Sequence, residues 1–103
     1  MDTAYMANRA SRAGSHWFDP ATRRFFNSRV VESTWTRLDA DTWRFVSGER
    51  QEMTPDYPRR YTVREIRFAP RADGGEMCDV HDIGAFQAYA SSATAARHLR
   101  DGL

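Results

Sequence analysis

The chain has 103 residues and a mass of 11.9 kDa, room for one compact domain and too little for two ordinary ones, which excludes most multidomain enzyme architectures. Apolar residues make up 41% and aromatic residues 13%, enough large side chain to close a core, while the formal net charge is only +1. With no global basic field, nucleic-acid binding cannot be argued from the total. All 15 basic residues are Arg. A GC-rich coding sequence accounts for that, although bidentate recognition by guanidinium groups would also favour Arg over Lys.

A lone cysteine, Cys78, excludes an internal disulfide, so the fold does not call for an oxidising compartment and a cytoplasmic setting is the default. No apolar run suits a signal peptide, and none approaches the roughly 20 residues needed to cross a bilayer. The sequence therefore predicts neither secretion nor membrane insertion.

In chain order, residues 1–15 are small and polar and read as a mobile or weakly docked arm, leaving 16–103 as a single α+β domain. Asp19 followed by Pro20 is an N-cap with proline at the first helical position, and predicts a short helix to about Asn27. On it Phe25 and Phe26 supply the buried side, Arg23 and Arg24 face solvent or a partner, and Asn27 and Ser28 terminate it. From Val30 the period becomes alternating, with Val31 and Trp35 opposite Glu32, Thr34 and Thr36. After the turn at Asp39–Thr42, residues Trp43, Phe45 and Ser47 alternate with Arg44 and Val46, so 30–48 reads as an antiparallel hairpin.

The stretch from Gly48 to Arg60 is a long connection for so small a domain and the first candidate binding element. In the third strand, Tyr61 to Ala69, the apolar parity changes between Val63 and Ile66. Either both faces are covered or a β-bulge near Arg64 and Glu65 shifts the phase, and the bulge is the preferred reading. A turn at Pro70–Gly75 leads to a fourth strand, Glu76 to Ile83, with Cys78 and Val80 facing inward. Residues 86–90 extend the sheet or form a short edge segment before Ser91 or Ser92 caps a final helix, which Gly102 ends. The expected fold is α+β: a mainly antiparallel sheet of about four strands in two hairpins, with a short N-terminal helix and a C-terminal helix. Its core draws on Phe25 or Phe26, Val31, Trp35, Trp43, Phe45, Val63, Phe68, Val80 and Phe86.

Catalytic chemistry finds little support. Cys78 and His81 are the ingredients of a thiolate and its base, but residues three apart on a strand point to opposite faces. The three histidines have no metal-ligand spacing, and the pairs Asp39 with Asp41 and Asp79 with Asp82 lie in a turn or split across a strand. Gly74 and Gly75 precede a strand, not the helix a phosphate loop requires. No catalytic residue, metal or cofactor is predicted.

Two arginine groups remain. Tyr57, Arg59, Arg60, Tyr61 and Arg64 flank a proline-bounded loop, and Arg and Tyr dominate recognition hot spots, so these five are the predicted partner-binding residues. Arg59 and Arg60 read as surface, replaceable without loss of folding. Arg23, Arg24 and Arg29, interleaved with Phe25 and Phe26, form the alternative patch. Such alternation suits a phosphate backbone with stacked bases, and equally a solvated face over a core. The leading expectation is a non-enzymatic protein that binds another protein, with direct nucleic-acid binding as the alternative.

The segments Trp17-Phe18-Asp19-Pro20, Arg24-Phe25-Phe26-Asn27-Ser28-Arg29-Val30, Trp43-Arg44-Phe45-Val46-Ser47-Gly48-Glu49, Arg60-Tyr61-Thr62-Val63-Arg64 and Asp82-Ile83-Gly84-Ala85-Phe86-Gln87-Ala88-Tyr89-Ala90 resemble a family of small uncharacterised proteins encoded by phages, plasmids and other bacterial mobile elements. The resemblance covers about residues 16–97 and carries no catalytic assignment. It implies an accessory factor acting in the host cytoplasm on a host protein, including inhibition of defence by an anti-CRISPR protein that binds a CRISPR-Cas component. The near-neutral charge does not fit the acidic nucleic-acid mimicry many such inhibitors use.

Overall fold

The computed structural model describes residues 3–50, 58–83 and 87–102, the side chain of Phe25 excepted. The elements are α1 (Thr3–Arg12), α2 (Pro20–Phe25), β1 (Arg29–Val30), a 3-10 turn (Glu32–Thr34), β2 (Thr36–Asp39), β3 (Thr42–Glu49), β4 (Arg60–Pro70), β5 (Glu76–Asp82) and α3 (Ser92–Arg100). All strand pairs are antiparallel, in the order β1-β3-β4-β5, with β2 also pairing β3. The α+β class and the antiparallel sheet expected from the sequence are those observed.

β1 and β2 share one edge of β3. Val30 lies against Ser47 near one end of β3, while Thr36 and Arg37 lie against Arg44 and Trp43 near the other. The single strand expected from Val30 is thus broken by the 3-10 turn, and Thr34 completes the gap. Its Oγ1 donates to the Val31 carbonyl at 2.6 Å and accepts the Val46 N–H at 2.8 Å. The break also separates Val31 from Trp35: Trp35 packs with the first hydrophobic cluster, Val31 with the second.

No bulge interrupts β4. Its register with β3 runs unbroken from Thr42 opposite Arg67 to Glu49 opposite Arg60, and that with β5 from Arg64 opposite Asp82 to Pro70 opposite Glu76. The change of apolar parity arises because helices cover both faces. On one face Met6 and Ala10 of α1 meet Phe18, Trp43, Phe45, Ile66 and Phe68; on the other Ala95 of α3 meets Val46 and Val63. Each end of β4 is apolar toward a different helix, so alternation switches phase without an inserted residue.

Residues 3–12, expected to belong to an arm, form α1, and Met6 and Ala10 are completely buried. Met6, Ala10 and Ala13 follow an i, i+4, i+7 spacing that puts them on one side of the helix. Gly14, at φ +81°, ends it: its N–H bonds the Ser11 carbonyl at 3.0 Å and the Ser15 N–H bonds the Ala10 carbonyl at 3.0 Å, a Schellman motif. Both ends of α1 are tied down. The Thr3 N–H donates to Glu32 Oε1 at 2.8 Å, and the Trp35 indole N–H donates to Thr3 Oγ1 at 2.8 Å. Arg9 grips Glu76 bidentately at 2.7 and 3.0 Å, its guanidinium carbon 3.8 Å from the centre of the Phe68 ring.

α2 starts as expected, with Asp19 Oδ2 accepting the N–H groups of Ala21 and Thr22, both at 3.1 Å. It also ends in a Schellman motif, here with Asn27 at φ +48°, whose N–H reaches the Arg24 carbonyl while the Ser28 N–H reaches that of Arg23. Of the two phenylalanines expected on the buried side, Phe26 is exposed, turned outward by the helix cap, and the Phe25 side chain lies outside the described residues; Phe18, from the preceding turn, is buried. Phe86 lies outside the described residues.

Candidate functional site

The two arginine groups distinguished in the sequence meet at one end of the sheet. Arg29 pairs with Gly48 on β3, Gly48 with Tyr61 on β4, and Glu49 with Arg60. Arg59 then ties the chain from α2 to the strands: its Nη1 donates to the carbonyls of Asn27 and Gly48, each at 2.8 Å. The Arg50 N–H bonds the Phe26 carbonyl at 2.6 Å and closes the same junction. Gly48 permits this crowding, because a Cβ there would lie 2.7 Å from the Tyr61 ring and 3.0 Å from Arg59 Cδ.

The five predicted partner-binding residues do not form one patch. Tyr57 lies outside the described residues. Arg59 is spent on two backbone carbonyls. Tyr61 covers Gly48 on the face that carries α3, where it also bridges to Tyr89. Arg64, of opposite parity, projects to the face covered by α1 and α2. There its Nε donates to Ser47 Oγ at 2.8 Å, its Nη2 to Glu49 Oε1 at 3.0 Å and its Nη1 to Asp82, beneath the Trp17 ring at 5.1 Å. Arg64 is thus fully matched by two carboxylates, and leaving them without it would cost far more than the contacts contribute. Of the four described, Arg60 alone is an exposed charge with no ion pair among the described residues.

The alternative patch divides as well. Arg24 and Arg29 are exposed and make no ion pair among the described residues. Arg23, expected to face solvent or a partner, is partly buried against the rings of Trp17 and Phe18, at 5.7 and 5.5 Å. Its Nε is enclosed without a hydrogen-bond partner, and burial pulls its pKa below the ordinary arginine value. The Ser28 hydroxyl beside it is likewise enclosed and unpartnered. Arg23 and Ser28 belong to the walls of two hollows. One, of about 310 Å³, lies toward the sheet and is lined also by Trp17, Phe26, Glu49 and Arg64. The other, of about 510 Å³, lies between α1 and α2. Chain pattern revealed the arginines of this junction; the enclosure of Arg23 it did not, since that follows from packing against Trp17 and Phe18.

Cys78 and His81 fall on opposite faces of β5, Cys78 with the first hydrophobic cluster and His81 against Glu65 on the other side. Burial raises the Cys78 thiol to about 11, so it is protonated near neutral pH and lacks the character of an activated nucleophile. Among the described residues no cluster of His, Cys, Asp and Glu has metal-binding geometry, and no helix is long and apolar enough to cross a membrane.

Together these features define a small α+β protein with an arginine-rich junction at one end of an antiparallel sheet. The chain belongs to a family of unknown function, DUF7447, whose match spans residues 3–100 and so includes α1 as well as α3. No curated protein and no solved structure matches it significantly.

Proposed function

We propose that this is a non-enzymatic accessory protein of a bacterial mobile element, which acts in the host cytoplasm by docking its arginine-rich end on an acidic surface of a host protein. The observation that carries the reading is the double hydrogen bond of Arg59 to Asn27 and Gly48, which fastens together the segments that bear the two arginine groups. Around it Arg24, Arg29 and Arg60 are exposed and without ion pairs among the described residues. An ordered backbone beneath them removes part of the ordering cost of binding, and the planar guanidinium fork loses less entropy per hydrogen bond to a carboxylate than an ammonium does. The narrowest form of the reading makes the partner a CRISPR-Cas component and the protein an inhibitor of that defence.

The test is capture from bacterial lysate with the tagged full chain, with and without nuclease, alongside the variant Arg24→Ala/Arg29→Ala/Arg60→Ala. A protein retained after nuclease treatment and lost with the variant, at an unchanged melting temperature, is the expected result. Capture abolished by nuclease favours nucleic-acid binding instead, and its salt dependence would then fall with a slope near −0.7 to −0.9 per phosphate contact.

A further inference from the structure

We propose that the groove between α1 and α2 is a binding site for a small phosphate monoester, with Arg23 and Arg24 holding the phosphate. The site needs no protein partner; it shares Arg24 with the docking surface, whereas Arg23 belongs to the groove alone.

Two independent features converge on it. The first is composition: the groove, about 510 Å³, is lined by Arg23 and Arg24 and by the polar side chains of Asn8, Ser11, Asn27 and Ser28, with no carboxylate among its lining residues. That differs from the hollow on the other side of Arg23, where Glu49 and Arg64 already neutralise one another. The second is the state of Arg23. A half-buried guanidinium is ordinarily matched by a carboxylate, as Arg9 is by Glu76 and Arg64 by Glu49 and Asp82. Arg23 has only the ring faces of Trp17 and Phe18, and its Nε and the Ser28 Oγ in the same wall lack any partner. Unmatched buried polar groups and charges are costly, and an oxyanion held in the groove at the guanidinium supplies the counter-charge that the chain leaves out.

The chemistry favours phosphate over a carboxylate. A phosphate monoester carries about −1.5 to −2 charges near neutral pH and three acceptor oxygens, which match two guanidinium groups with hydroxyl and amide donors beside them. A single carboxylate leaves one arginine unmatched. Ala7, Phe18 and Pro20 line the same groove and offer an apolar surface to the organic part of the ligand. The volume falls within the range of pockets that take small molecules, about 300–1,000 Å³.

The experiment titrates the full chain with phenyl phosphate, phenylacetate and neutral 2-phenylethanol, followed by calorimetry and by the side-chain N–H signals of arginine. Saturable binding of phenyl phosphate is expected, roughly tenfold or more tighter than phenylacetate, with no binding of the alcohol. Arg23→Gln and, because Arg23 also packs on two rings, the exposed Arg24→Gln should each weaken phenyl phosphate roughly tenfold. Arg97→Gln on α3 should bind as the parent does. Equal affinity for phenyl phosphate and phenylacetate, parental affinity in both groove variants, or no saturation up to about 10 mM would overturn the assignment.

Discussion

At Thr34 the sheet is completed by a side chain where backbone is missing. The 3-10 turn carries the chain away from β3, and the Val46 N–H, in a strand with both faces covered, takes the Thr34 hydroxyl in place of a carbonyl. Thr34→Val keeps the shape and deletes the acceptor, so it should destabilise the protein by about 1–3 kcal/mol in denaturant unfolding. A loss within experimental error would mean that water replaces the bond. Arg59 and Arg60 make a second contrast between neighbours. Both read as surface in the sequence, yet Arg59 donates to two carbonyls that join separate segments, whereas Arg60 ends in solvent. Arg59→Ala should therefore cost about 1–3 kcal/mol, against less than about 0.5 for Arg60→Ala. Equal and negligible losses would show that the junction does not depend on the Arg59 bridge.

Among the elements, α2 and the two hairpins were legible because their signals are local: an Asp-Pro start, alternation, and turn residues between apolar runs. α1 was missed because its buried side is made of alanine and one methionine, side chains too small or too flexible to stand out, although the spacing of Met6, Ala10 and Ala13 before Gly14 is a complete helix signature. The supposed bulge in β4 has the opposite cause: apolar residues on both parities record two covering layers, which a single strand cannot announce. The docking of α1 carries a pH dependence. Glu76 sits below its ordinary value of 4.5 because Arg9 donates to it and attracts its charge, while Arg9 is raised by the same partner. A lowered carboxylate contributes stability that is fully present above its unfolded value and disappears as pH falls through its folded one. The stability gap between the parent and Glu76→Gln, followed by thermal melts, should therefore be widest near pH 7 and shrink progressively as pH falls below 4.5. A gap independent of pH would assign the contact to shape and not to charge.

Across the whole molecule, the arginine junction exists only after folding. Asn27 and Arg59 are 32 residues apart and meet through a guanidinium on a carbonyl, a contact with no periodicity or motif to betray it. The sequence did show that arginines cluster near both segments; it did not show that Arg59 would be consumed as structure, that Arg64 would be neutralised by Glu49 and Asp82, or that Arg23 would turn inward. What remains at the surface is a smaller set, Arg24 and Arg29 from one segment and Arg60 from the other, with Arg29 and Arg60 at one end of the sheet on opposite faces. The docking proposal therefore requires a partner that reaches around this end of the sheet and touches both segments together.

That requirement gives the most direct measurement of the docking proposal: titration of the captured partner with Arg24→Ala/Arg29→Ala, with Arg60→Ala, and with Arg97→Ala on α3 as the distant comparison. The account expects each of the first two to weaken binding by at least about fivefold, the loss typical of a contributing interface residue, while Arg97→Ala binds as the parent does. Loss confined to one of the two segments, with the other at parental affinity, would contradict a single surface built from both.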